Sequence, residues 1–464
     1  MFWLLSTLHV CPLNVLLAGA RGAIILDKII FYSLLGLLVI TLLPYGTVEV
    51  WSTAIWELLV LALTLLWGIH SVINKRLEIV ANPLVWPMLG LLAVAAIQLI
   101  PFSSGPRRTI TYDSFATFDA GVKLFVMILF FLLFSTFVNS DERRRKIVTV
   151  VIIMAAAIAL IGIGQSYLTK LIWPKGSFGP FVNRNHFAGF LEMAAGLTGA
   201  RILSRTIKRE KLMLYICFLI LICTGIILSA SRGGFLALGG VVVFLGLSSI
   251  PTRAEKSGRE GAGKSVQLRF VAALILLVVM AGGAMLLTQS DELMQRFGNY
   301  QAEIKSAELA DERFSRKELW EVTTRMIKDH PLLGVGVGAY QYAYPRYDQS
   351  SGILRAEQAH NDYLQIVVDA GVVGGILALA YLIILFARGF SFTQTRNQIH
   401  RGVVLGALAG CFGIAVHSFV DFNLQVTANA QLFVALVALA TTKQSEEEKS
   451  RAANELSVYA EYAR

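Results

Sequence analysis

Charge is scarce in this chain. Of its 464 residues only 16% are Asp, Glu, Lys or Arg, while 55% are hydrophobic, and the mean hydropathy is +0.63. A soluble domain carries nearer a quarter charged residues, so this composition excludes an ordinary water-soluble fold and implies an integral membrane protein. Cysteine is rare too. Cys11, Cys217, Cys223 and Cys411 lie in or near apolar stretches, form no Cys-x-x-Cys pair, and have no His at a metal-ligand spacing. They offer neither a disulfide framework nor a zinc site and read as small buried hydrophobes. No internal repeat is visible, which weighs against a transporter built from duplicated halves. A net charge of +10 would suggest a nucleic-acid partner in a soluble protein. Here the Lys and Arg fall in short gaps between apolar runs, as membrane topology requires, and no nucleic acid is expected.

What the chain has in abundance is long apolar runs. A spanning helix needs about 20 mostly apolar residues. Twelve runs qualify, at 27–43, 54–70, 83–101, 119–138, 147–168, 187–204, 212–229, 234–250, 270–287, 370–387, 402–419 and 424–441. Basic residues follow every second run: Lys75 and Arg76, then Arg143 to Lys146, then Arg201 to Lys211, then Arg253 to Arg269, then Arg388 to Arg401. Residues 44–53 and 420–423 carry no Lys or Arg. The positive-inside rule then puts both termini in the cytoplasm and the odd-numbered gaps outside. The expected organisation is an N-terminal cytoplasmic or interfacial segment (1–26), nine spanning helices (27–287), a large outer loop (288–369), three more spanning helices (370–441) and a cytoplasmic tail (442–464). The fold class is all-α, a polytopic transmembrane bundle of about 12 helices. Ala18-Gly19-Ala20 looks like a signal-peptidase site, but no basic stretch precedes it and Pro12 interrupts the run, so residues 1–26 are expected to be an interfacial cytoplasmic segment or an over-long start. In the long loop Leu319, Val322, Met326 and Ile327 recur at helical spacing, which predicts a small helical cap over the outer face. The glycines at 334, 336 and 338 are read as ending that helix.

The polar residues that stand out share the outer side. Asn183, Arg184, Asn185 and His186 form an unbroken polar run before the sixth apolar run. They fit either a helix cap or a site. Ser229-Ala-Ser-Arg-Gly-Gly234 is the whole gap between the seventh and eighth runs. A hairpin turn accounts for Gly233 and Gly234, whereas Arg232, a guanidinium suited to forked contacts with phosphate, points to an anion. Arg313 and Arg316 precede Trp320 in the loop. His360 and Asn361 stand just before the tenth run, where an imidazole can exchange a proton at working pH. Asn361 or Asp362 could equally cap the helix that follows. His417 and Asp421, four apart, suggest a local ion pair or hydrogen bond.

Taken together, Asn-Arg-Asn-His at 183–186, Ser-Arg-Gly-Gly at 231–234, Arg316 four before Trp320, His-Pro-Leu-Leu-Gly-Val-Gly at 330–336 and His-Asn-Asp-Tyr-Leu at 360–364 resemble the bacterial O-antigen ligase and O-antigen polymerase superfamily. The resemblance implies a GT-C-like bundle with one large helical periplasmic loop, in the bacterial inner membrane, with its active site on the periplasmic side. It implies a donor glycan on undecaprenyl diphosphate and an acceptor hydroxyl on lipid A–core or another saccharide, with membrane lipid as the surrounding partner and no cofactor. The outer segments contain no Asp-x-Asp pair of the kind that holds a divalent cation. Metal-independent, inverting transfer is therefore expected. His360 would be general base, Arg232 and Arg316 would stabilise the leaving diphosphate, Arg184 would be a third cation, and Asn183, Asn185, His186 and Asn361 would contribute to substrate binding. A polymerase of the same superfamily is the near alternative. A secondary transporter, a lipid-glycan flippase or an export scaffold are alternatives of other classes.

Overall fold

The structure, a computed structural model, describes residues 20–101, 109–167, 178–204, 206–248, 316–349, 356–395 and 397–443. Its helices in chain order are α1 (Ala20–Ile40), α2 (Val50–Ile73), α3 (Val85–Gln98), α4 (Ser114–Phe137), α5 (Asp141–Tyr167), α6 (Arg184–Leu203), α7 (Arg209–Leu228), α8 (Arg232–Ser248), α9 (Arg316–Asp329), α10 (Tyr340–Ala343), α11 (Asp362–Thr393), α12 (Gln398–His417) and α13 (Thr427–Thr441). The chain folds as a helical membrane bundle. Seven of the described helices are long and apolar enough to cross a membrane, and α3, α8 and α13 are shorter apolar helices. Ten of the twelve apolar runs fall on these ten helices, and the run at 187–204 falls on α6, which is long enough to span but less apolar than they are. The run at 270–287, the segment before residue 20, the loop at 251–269, Arg313 and the chain beyond 443 lie outside the described residues.

α6 is the centre of the bundle. It carries Arg184, His186, Glu192 and Arg201, yet nearly all of its length is buried. In a bilayer such groups must turn inward, toward other polar atoms rather than lipid. Its closest partner is α12, and small residues allow the approach. A Cβ on Gly196 would lie 2.5 Å from the Gly410 backbone nitrogen, and one on Gly406 would lie 2.9 Å from the Leu197 Cα. Close backbone contact of this kind is how helices associate where no hydrophobic drive exists between them.

The bundle has two unlike ends. At one, Arg143 pairs with Asp27. There the fully buried Arg144 donates to the Thr442 carbonyl at 2.7 Å and sits 2.9 Å from His400 Nδ1. Arg388 donates to the Thr441 carbonyl at 2.8 Å. The last turn of α2 reaches the same end, with the His70 ring 5.5 Å from that of Phe137. The starts of α2 and α13 meet at the other end, where the Ala428 amide donates to the Gly46 carbonyl at 3.1 Å.

The helical cap sits on this second end. Leu319, Val322 and Met326 of α9 are buried against Val335, Tyr340 and Ala359. Its attachment to α11 explains the glycines. Gly371 has φ +67° and ψ −166°, which breaks α11 after two turns. The Val368 and Asp369 carbonyls lose their helical partners and accept instead from the Val335 and Gly336 amides, at 2.9 and 3.1 Å. The Val372 and Val373 amides, equally orphaned, donate to the Pro331 and Leu332 carbonyls at 2.8 and 3.5 Å. Residues 331–336 are thus spliced into the broken turn, which satisfies its backbone groups inside the protein. Gly334, Gly336 and Gly338 all have positive φ, and a Cβ on Gly334 would lie 2.5 Å from Asp369 backbone atoms. α9 ends at Asp329, before any of them, so their task is close docking rather than helix termination.

Candidate functional site

Four chain segments meet at the capped end: the starts of α6, α8 and α11, and the stretch 418–426 that links α12 to α13. Each helix start is fixed locally. Asn183 Oδ1 accepts from the Asn185 amide at 2.8 Å, and Ser231 Oγ from the Gly234 amide at 3.1 Å. Asn361 Oδ1 accepts from the Tyr363 and Leu364 amides, both at 3.0 Å. These are N-caps, which satisfy amides that a helix start leaves open. Asn361 also donates through Nδ2 to the Phe419 carbonyl at 2.9 Å. Both ends of its amide serve the fold, aiming α11 and tying it to the 418–426 stretch. Asn183 likewise acts as a cap. Asn185 and Arg184 are half-buried in the first turn of α6.

His360 lies immediately before that cap with φ +48°. A non-glycine residue in the left-handed region costs of order 1–3 kcal/mol and persists only where neighbours enforce it. Here Ala359 is pinned on both sides. Its amide donates to Gln365 Oε1 at 2.8 Å, and its carbonyl accepts from the Trp320 indole at 3.0 Å. His360 Nδ1 faces Asp421 Oδ1 at 3.6 Å, and its side chain keeps 17% exposure against 1% for Asp421. Burial alone would raise the Asp421 carboxyl. The contact with His360 and the nearby His186 and His417 imidazoles outweigh it and hold the group well below the usual carboxylate range.

Phe422 organises two histidines distant in sequence. Its ring is met edge-on by His360 at 4.7 Å and by His186 at 4.8 Å. His186 and His360 thus share one ring across 174 positions of sequence. The pairing read for His417 and Asp421 is corrected. α12 ends at His417, so the one-turn register between them is lost. Asp421 turns to His360, and His417 Nδ1 bonds Glu192 Oε2 at 2.9 Å, both side chains fully buried.

Arg232 is exposed as the first residue of α8. The hairpin before it turns through Ala230 at φ +52°, not through the glycines. Gly233 and Gly234 instead permit close approach. A Cβ on Gly233 would lie 2.4 Å from His417 Cδ2 and Nε2, and one on Gly234 would lie 2.7 Å from the Ala188 Cβ. Arg316 is exposed at the start of α9, one turn before Trp320, and so lies on the helix face that reaches Ala359 and the His360 turn. His360, His186 and Asp421 thus converge on Phe422. Arg232 directly precedes Gly233, which abuts His417, and Arg316 begins α9 of the cap.

Residues 217–379 match a family model described as O-antigen ligase. That match, over about a third of the chain, supports membership of the O-antigen ligase superfamily. Members are membrane glycosyltransferase-like ligases and polymerases. The match runs from α7 into α11 and takes in Arg232, Arg316, His360 and Asn361, while the α6 and α12–α13 sides of the site lie beyond it. No curated protein matches the chain. What sequence reasoning passed over in this O-antigen ligase relative is Glu192. It is the sole carboxylate in the run 187–204, and an acid inside a membrane helix is by default a functional signal.

A cleft of about 360 Å³ opens beside the site between α3–α4 and α11–α13. Its walls are apolar, with Met88, Met127, Leu377 and Phe433 among them, and its rim carries Asp362, Ser418, Gln425 and Lys123.

Proposed function

We propose that this O-antigen ligase relative moves a glycan from undecaprenyl diphosphate to an acceptor hydroxyl, on lipid A–core or another saccharide, at the periplasmic face of a bacterial inner membrane. The observation that carries the reading is the His360–Asp421 pair, held in strained backbone at the end of the bundle opposite the basic residues. The positive-inside rule assigns the basic end to the cytoplasm, so the site faces the periplasm. With Nδ1 toward Asp421, Nε2 is the His360 nitrogen that takes the proton of the acceptor hydroxyl. The carboxylate orients the ring and favours the imidazolium that forms, as in other base–carboxylate pairs. The acceptor oxygen bonds the anomeric carbon as the bond to the phosphate oxygen breaks, and the diphosphate departs with the electron pair. A single displacement inverts the anomeric centre. Arg232 and Arg316 meet the growing negative charge, aided by the amide dipoles at the start of α8, with Arg184 as a third cation. Half-buried Asn185 and buried His186 line the glycan side, and the apolar cleft gives a lipid chain a lateral route to the site.

Purified protein given the lipid-linked glycan of its own host and a hydroxyl acceptor should form a new glycosidic bond. His360→Ala should reduce the rate by about 10²–10⁴-fold, and Arg232→Ala by about 10²–10³-fold. Parental turnover in a folded His360→Ala protein sinks the base assignment. A deletion strain separates ligase from polymerase. Loss of the ligase leaves long glycan on the carrier lipid, and loss of the polymerase leaves surface lipid with a single repeat unit.

A further inference from the structure

Against Gly233, the residue after Arg232, the buried Glu192–His417 pair joins three helices. Glu192 projects from the third turn of α6, and His417 closes α12. The 2.9 Å bond between them fixes the imidazole, whose Cδ2 and Nε2 edge abuts Gly233 in the first turn of α8. The contact leaves no slack, since a Cβ at Gly233 would overlap the ring at 2.4 Å. On its other side the same turn is stopped by Ala188 of α6, against which Gly234 packs. The start of α8 is therefore wedged between α6 and an imidazole that α6 itself anchors.

Two ionisable side chains withdrawn from both water and lipid are costly unless they satisfy each other, and apolar residues of like volume often stabilise a bundle as well or better. An apolar contact, however, leaves the ring free to rotate and the helix free to slide, whereas the bond to Glu192 fixes its rotamer. We propose that Glu192 and His417 are positioning residues: together they set the height of α8 and so hold the Arg232 guanidinium where the diphosphate leaves. This rests on the role given to Arg232 above.

The test compares Glu192→Gln, which keeps an acceptor for His417 Nδ1, with Glu192→Leu, which removes it. Turnover is measured on the full chain in detergent with the host's lipid-linked glycan. In parallel, an Arg232→Cys background reports the local position of α8 through its reaction rate with a charged thiol reagent. Glu192→Gln should stay within about threefold of the parent by both readouts. Glu192→Leu should lose at least about tenfold in kcat with the acceptor KM unchanged. It should also shift the labelling rate at position 232 by at least about threefold, with thermal unfolding little altered. If Glu192→Leu does not fold, Gly233→Ala displaces α8 with the pair intact and should reproduce both changes. Parental kcat and labelling in a folded Glu192→Leu or Gly233→Ala protein overturn the proposal, as does a Glu192→Gln protein as impaired as Glu192→Leu. An inactive Arg232→Ala beside an active Glu192→Leu removes this inference alone. A fully active Arg232→Ala removes the reading beneath it.

Discussion

The base role proposed for His360 depends on how firmly its neighbours hold it. Ala359 is bonded on both sides, Asn361 caps the helix that follows, and Asp421 faces Nδ1. The sequence marked His360 because an imidazole at a membrane boundary is unusual chemistry. It could not mark Asp421 as its partner, because 60 residues and two helices intervene and no periodicity links them. A pH dependence follows from that carboxylate. Its folded pKa lies below the unfolded value of about 3.9. A depressed carboxylate contributes stability that is fully present above its unfolded pKa and is lost as pH falls toward the folded value. The Asp421→Asn protein lacks this contribution. The parent should therefore melt higher than Asp421→Asn at pH 6–7 in detergent, and the gap should shrink as the pH is taken to about 3. A gap that is constant or widens on acidification would show that Asp421 is not held ionised by the site.

At the scale of elements, apolar runs and caps were legible and breaks were not. Runs of about 20 apolar residues became helices because the backbone has no other way to satisfy itself in lipid. The spacing of Leu319, Val322 and Met326 became the buried face of α9. Nothing local distinguishes Gly371 from the other glycines of its run, yet its positive φ opens the turn into which residues 331–336 are spliced. Gly374, three residues on, keeps helical geometry. The splice predicts an asymmetry. A Cβ at position 371 would lie 2.1 Å from the Leu332 carbonyl oxygen, in a backbone region that L-residues resist. Gly371→Ala should cost at least about 2 kcal/mol and should loosen the cap first. Limited proteolysis should then cut within residues 330–349 of the variant before the bundle unfolds. Cleavage there at the parental rate would mean that the broken turn does not hold the cap.

The whole molecule is polarised, and that polarity connects sequence to function. Arg143, Arg144 and Arg388 gather at one end, where Arg144 is fully buried against the α13 terminus. His186, His360, Asp421, Arg232 and the cap gather at the other. The alternation of basic gaps anticipated this arrangement, since a rule about which loops stay in the cytoplasm is also a rule about which helix ends are neighbours. What it could not anticipate is that α6, which is not apolar enough to count among the spanning helices, would occupy the centre, because burial inside a bundle depends on partners that only tertiary structure supplies. A periplasmic site demands that the two ends face different compartments. In a cysteine-free background, a membrane-impermeant thiol reagent added to spheroplasts should label Arg232→Cys and Arg316→Cys. It should reach Arg76→Cys only after the membrane is permeabilised. Positions 76 and 232 reacting from the same side would dissolve the topology, and with it the assignment of the site to the compartment where an outward-facing lipid-linked glycan waits.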